Sequence, residues 1–144
     1  MIALDTSILV YARRAESPHH LEAKTLVEQL ANGSRSWALP WPCVYEFLKV
    51  VTHRAVFKIP TPLPRALSDL AMLLSSPSVS LLGQGPAHWD TLSAVLGRSE
   101  STGSQIYDGS IAALCLEHGV DEIWTVNTKH FQKFTSLRCH NPFA

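Results

Sequence analysis

The chain opens on four apolar residues, Met1-Ile2-Ala3-Leu4, and stops them at an acid, Asp5. A short run without polar alternation is what a strand buried on both faces requires. Such strands belong to parallel sheets whose connections are helices. The rest of the chain keeps to this scheme. Ser36-Trp37-Ala38-Leu39, Val79 to Leu82 and Glu122 to Val126 read as further strands. Between them lie helical stretches: Ile8 to Ala12, Val44 to His53, Arg65 to Leu74, Pro86 to Leu96, and Ile106 to His118 with Gly119 closing it at C′. Another helix is expected to start at Ser17-Pro18, with serine as N-cap and proline at N1. It carries Ala23, Leu26, Val27 and Leu30 on one face and ends at Asn32-Gly33. The tail from Phe131 to Ala144 is expected to return to the sheet edge. The alternation predicts an α/β fold with a central, mostly parallel sheet flanked by helices. With no repeat, linker or low-complexity tract, residues 1–144 read as a single domain.

Composition removes several function classes. Formal net charge is +0 and the pI about 7.1, so nucleic acid would have to be held by a local patch or a metal rather than by overall charge. No apolar run approaches the roughly 20 residues that span a bilayer, and Asp5 arrives too early for a signal peptide. Cys43, Cys115 and Cys139 are odd in number and far apart, which reads as reduced thiols in a cytoplasmic protein. Seven histidines show no ligand spacing for a structural zinc.

Three acids stand out by position. Asp5 ends the first strand, and in open α/β sheets that end faces the ligand crevice. It is equally suited to capping the next helix, alone or with Thr6 or Ser7. Glu46 falls early in its helix, where the helix dipole alone favours an acid. Asp108 shares a helix face with apolar Ile111, Ala112 and Cys115, a costly place for a carboxylate unless a cation compensates it. Grouped carboxylates select a hard cation such as Mg²⁺ or Mn²⁺, which activates water and steadies charge on a phosphate. The residues therefore point to metal-assisted phosphodiester hydrolysis.

The motifs around these acids resemble the PIN-domain family, and in particular its VapC toxins. Met1 to Tyr11 is similar to the family's opening strand with its first acid. Pro42-Cys43-Val44-Tyr45-Glu46-Phe47 is similar to the second motif, Tyr107 to Cys115 to the third, and Trp124-Thr125-Val126-Asn127-Thr128-Lys129-His130-Phe131 stands where the fourth belongs. The resemblance runs nearly the whole chain. It implies an Mg²⁺-dependent endoribonuclease, with Mn²⁺ as substitute, acting on tRNA or ribosomal RNA as the toxin of a type II toxin–antitoxin system. It also implies a homodimer and a small VapB-like antitoxin. On this reading Asp5, Glu46 and Asp108 are metal ligands, and Thr6 and Asn127 orient carboxylates or water.

Three positions depart from the pattern. Ser7 stands where relatives often carry Asn, and Asn127 and His130 stand where the fourth motif commonly has Asp. The site keeps the charges of Asp5, Glu46 and Asp108 alone, which suggests one well-held metal and a second that is weak or depends on substrate. The loss also leaves open a domain that binds RNA or antitoxin without cutting. A phosphatase with Asp5 as nucleophile is a weaker alternative, because Ser7 occupies the place of the second acid such enzymes use. Lys49, His53, Arg54 and Lys58 form a candidate RNA face or an ordinary solvated edge, with Lys129 and Lys133 as a second candidate. Of Trp37, Trp41, Trp89 and Trp124, most are expected in the core or an interface, though exposed ones can stack on bases. Val56, Phe57 and Ile59 in the proline-rich connection are expected to be exposed and to meet the antitoxin.

Overall fold

A computed structural model describes residues 1–144. Five parallel strands form one sheet in the order β3-β2-β1-β4-β5, where β1 is Ile2–Leu4, β2 Trp37–Pro40, β3 Val79–Leu82, β4 Glu122–Trp124 and β5 Arg138–His140. The sheet is wholly parallel, and β5 places the tail at its edge as the sequence suggests. Seven helices complete the fold: α1 Thr6–Arg13, α2 His20–Asn32, α3 Trp41–Val51, α4 Leu63–Leu74, α5 His88–Ser99, α6 Gln105–Glu117 and the single turn α7 Thr128–Phe131. No helix is long and apolar enough to cross a membrane.

The apolar runs lie where their composition demands. Every residue of β1 and β2 is buried, and α6 buries Ile111 to Cys115 without interruption. Trp37 is fully enclosed, so its indole N–H needs an internal acceptor. Ser78 supplies it at 3.1 Å and passes its own proton to the carbonyl of Leu30 at 2.8 Å. Ser78→Ala leaves the buried indole N–H unpaired. It is expected to cost about 1–3 kcal/mol, read as a lower midpoint in urea with an unchanged slope.

Two local expectations give way to tertiary contacts. The second helix starts at His20, not at Ser17-Pro18. The Ser17 N–H closes a turn onto the Arg14 carbonyl, and His19 takes a left-handed conformation (φ 53°). The His19 ring stacks on Phe143, with centroids 5.4 Å apart, and His20 Nδ1 lies 2.7 Å from the Tyr11 carbonyl. At the other end Gly119 (φ 70°) closes α6 as its position suggests. Phe57 is not an exposed anchor: it packs against the core with the Arg14 guanidinium 4.2 Å above its ring. Val56 and Ile59 are exposed.

Candidate active site

The chain leaves β1 for β2 on one side and returns to β4 on the other, so strand order reverses at β1. Where neighbouring connections diverge at the carboxyl ends of strands, a crevice opens. Asp5 follows β1 and Thr125 follows β4, and the Asp5 N–H donates to the Trp124 carbonyl at 3.0 Å. The switch in topology thus holds Asp5 at the mouth of the crevice.

Asp5 is the N-cap residue of α1, yet its side chain makes no cap hydrogen bond. Its carboxylate is instead held by two hydroxyls. Ser7 Oγ donates to Oδ2 at 2.9 Å and Thr125 Oγ1 donates to the same oxygen at 2.8 Å, leaving Oδ1 without a donor. Thr125 Oγ1 also accepts the Asn127 N–H at 3.0 Å, and Ser7 Oγ accepts the Val126 N–H at 3.2 Å. One network therefore sets both the carboxylate and the loop carrying Asn127. Thr125 is completely buried, and its place in the site is not visible in local sequence. Ser7, present where Asn is common, fills that role with its hydroxyl. Thr125→Val keeps the shape and removes these bonds. It is expected to lower turnover of any reaction at Asp5 by about 10- to 100-fold, the usual cost of losing a partner that orients a ligand. Unchanged kcat with an unfolding midpoint below wild type would assign Thr125 to stability alone.

Glu46 and Asp108 face Asp5 from α3 and α6. Partial burial raises the Glu46 carboxyl above its ordinary range, and the charges of Asp5 and Asp108 raise it further. Lys49 and a Thr6 hydroxyl hydrogen bond act the other way. Thr6 itself is buried, with Oγ1 donating to the Cys43 carbonyl at 3.5 Å. Asp108 is likewise raised by partial burial and by Asp5, and lowered by His130. His130 Nδ1 lies 4.0 Å from Asp108 Oδ2. The His130 imidazole thus stands beside the Asp108 carboxylate. The imidazole is 60% exposed, so the pair contributes about 1 kcal/mol or less.

Asp5, Glu46, Asp108, Thr6 and the Asn127 backbone are thus linked at the carboxyl end of the sheet by hydrogen bonds and by the charge of Asp5. No group of three or more His, Cys, Asp or Glu side chains converges tightly enough to hold an ion by itself. The donors are nevertheless all hard oxygens, and the Asp5 charge raises the carboxyls of both Glu46 and Asp108. That set suits a hydrated divalent cation, which keeps several of its waters. Cys43 lies beside Asp5 and Thr6, and burial lifts its thiol first, followed by the Asp5 charge. Burial pushes Cys115 up to about 12. Both are packing groups, not nucleophiles.

The proposed cations scatter more widely. Lys49 is on α3 within electrostatic reach of Glu46, and His53, Arg54 and Lys58 follow on the exposed connection beyond it. Lys133 is drawn to the start of α6, donating to Gln105 Oε1 at 2.7 Å. Among the tryptophans, Trp37 is core, Trp41 and Trp124 are half-buried and Trp89 is 74% exposed on α5. A separate groove of about 360 Å³ lies between α1, α2 and α4, lined by Leu9, Val27, Leu70 and Leu73. None of the three acids reaches it.

A parallel sheet whose switch point brings carboxylates together defines an α/β domain with an acidic site at the carboxyl end of its sheet. Residues 2–136 match the PIN domain. The chain is 31% identical over 140 residues to Ribonuclease VapC48 of Mycobacterium tuberculosis, covering 97% of this chain and 96% of that one. It is 32% identical over 142 residues to Ribonuclease VapC43 of the same organism, with 99% and 95% covered. In three dimensions it is similar to VapBC2 from Rickettsia felis, solved bound to a DNA fragment from their promoter. That TM-score is 0.70 at 20% identity, with 98% of each chain covered. The chain belongs to the PIN domain family.

Proposed function

We propose that this chain is a metal-dependent endoribonuclease, the toxin of a VapBC-type pair. The observation that carries the reading is the set of three carboxylates, Asp5, Glu46 and Asp108. They lie toward the carboxyl end of the sheet, and the charge of Asp5 raises the carboxyls of both Glu46 and Asp108, which a divalent cation would relieve. The names of the ribonuclease relatives support RNA as substrate.

Asp5, through Oδ1, and Asp108 would hold Mg²⁺, with Glu46 touching it directly or through a water; Mn²⁺ would substitute. When bound, the metal supplies activation of water and stabilisation of charge on the phosphate. The chain's own residues do the rest. Ser7 and Thr125 fix the Asp5 carboxylate, and Thr6 steadies Glu46. Glu46, raised by burial and by its neighbours, is suited to accept the proton of an attacking water. Asn127 sits exposed at the rim of the crevice, and its carbonyl oxygen can orient water but adds no charge. Lys49, His53, Arg54 and Lys58 are the proposed phosphate contacts.

A VapB-like antitoxin is the proposed partner, by likeness to the VapBC2 complex. Exposed Val56, Ile59, Leu63, Leu67 and Met72 offer it an apolar surface. A homodimer and a cytoplasmic setting complete the reading.

The test is cleavage of total RNA by the antitoxin-free chain, with Mg²⁺ and with EDTA. Cleavage is expected only with metal, leaving 5′-phosphate and 3′-hydroxyl ends; cyclic phosphate ends would mean attack by the ribose and overturn this mechanism. In the same assay Asn127→Asp adds a fourth charge and is expected to tighten Mn²⁺ binding in calorimetry; unchanged affinity would remove Asn127 from the site. A folded chain that binds RNA and never cuts it would be a binding domain.

A further inference from the structure

Helix α3 presents a second feature beside Glu46. Trp41, Tyr45 and Lys49 are spaced four residues apart, so they lie in one row along the helix, and His53 follows just past its end. Trp41 is seated against the backbone of Gly83, its Cδ1 3.4 Å from where a Cβ would stand. Tyr45 stacks on it, with centroids 5.9 Å apart and planes 27° apart. Tyr45 is 64% exposed and its hydroxyl has no hydrogen-bond partner within the chain. Lys49 forms no ion pair, and the His53 ring is oriented by accepting the Ala55 N–H at Nδ1, 3.0 Å away. A fixed, exposed aromatic step running into the Lys49 cation is the arrangement that binds a single strand: a base stacks on a ring while a phosphate meets positive charge.

We propose that the Trp41–Tyr45–Lys49 row is a track for a single-stranded segment of the RNA substrate. One base of that segment stacks on Tyr45, and the adjoining phosphate lies along Lys49. This rests on the ribonuclease reading and deepens it. Lys49 lies within electrostatic reach of Glu46, so a phosphate held along it lies beside the carboxylates. The occupant is RNA rather than a second copy of the chain because the row continues into the acidic site and into Lys49 and His53, not into further apolar surface. Tyr45 is on this account a positioning residue that selects unpaired RNA over duplex.

The experiment measures affinity of the full chain, antitoxin-free and in EDTA, for a fluorescein-labelled unstructured uridine-rich RNA and for a duplex of matched length. Tyr45→Ser is expected to weaken single-strand binding by about 5- to 150-fold, the loss of one stacked base. Duplex binding should stay unchanged and Tyr45→Phe should restore wild-type affinity. Wild-type affinity in Tyr45→Ser overturns the track. So does a Tyr45→Ser variant that sediments as a smaller species than wild type and loses single-strand and duplex binding equally, which makes the row an interface between copies. Cleavage by wild type with Mg²⁺ is read separately: its absence defeats the ribonuclease reading, while discrimination by Tyr45 in EDTA still reports whether the track exists.

Discussion

Asp108→Asn is expected to abolish RNA cleavage by the purified chain, by at least about 10²-fold in kcat, without unfolding it. The amide keeps the shape and hydrogen-bonding reach of the carboxylate and removes only its charge. The packing below it is untouched, because Ile111, Ala112 and Cys115 bury the helix through their own side chains. The metal-free fold gives up nothing with that charge: burial and Asp5 disfavour it, and only the exposed imidazole of His130 favours it. Activity and stability should therefore move in opposite directions. The measurement is cleavage at saturating Mg²⁺ beside thermal unfolding in EDTA. Full cleavage by Asp108→Asn would take the residue out of the chemistry. Lost cleavage with a lower Tm would mean that it acts through the fold.

This opposition explains why Asp108 is legible in sequence. A carboxylate in register with Ile111, Ala112 and Cys115 breaks the pattern of its own helix, and residues that break a local rule are where function is stored. Asp5 is legible for a related reason, since it ends a run that only a buried parallel strand explains. The strands Ile2–Leu4 and Val79–Leu82 are fixed by composition, and the end of α6 by Gly119. The hydroxyls that hold Asp5 are not legible. Thr125 lies 120 residues from Asp5, and no local pattern tells a strand-end threonine in a site from any other. The start of α2 fails similarly, because Ser17-Pro18 is a sound local signal overruled by contacts of His19 and His20 with Phe143 and Tyr11. Phe57 is misread as exposed because its cover, Arg14, comes from a distant turn. What sequence conveys is which residues are misfits in their own element; what it withholds is the long-range company they keep.

The same electrostatics makes stability depend on metal, with a definite sign in pH. Glu46 and Asp108 titrate in the folded chain above their ordinary values of 4.5 and 3.8, so the fold holds their protons longer than the unfolded chain does. Below those values both states are protonated and no penalty exists. As pH rises above them, the unfolded chain ionises first, and the fold loses stability until its own carboxyls have ionised. Carboxylates elsewhere in the chain respond to pH as well, and they are the same in wild type and variant. The informative quantity is therefore the difference in Tm between wild type and Asp108→Asn. In EDTA that difference is expected to move against wild type as pH rises above about 4, the ordinary range of these carboxyls. Mg²⁺ at a hundred times its Kd should add about 2.7 kcal/mol to wild type at pH 7, roughly 5 to 11 °C in Tm for a chain of this size. It should add less at pH 4, where Glu46 and Asp108 keep more of their protons than free carboxyls do, and little to Asp108→Asn at any pH. Sodium chloride at equal ionic strength should not reproduce the gain, because screening acts on every surface charge while the cation acts between these carboxylates. An equal rise in both proteins would place Mg²⁺ elsewhere on the surface. No rise in either would leave the three acids as a repulsive cluster without a resident metal.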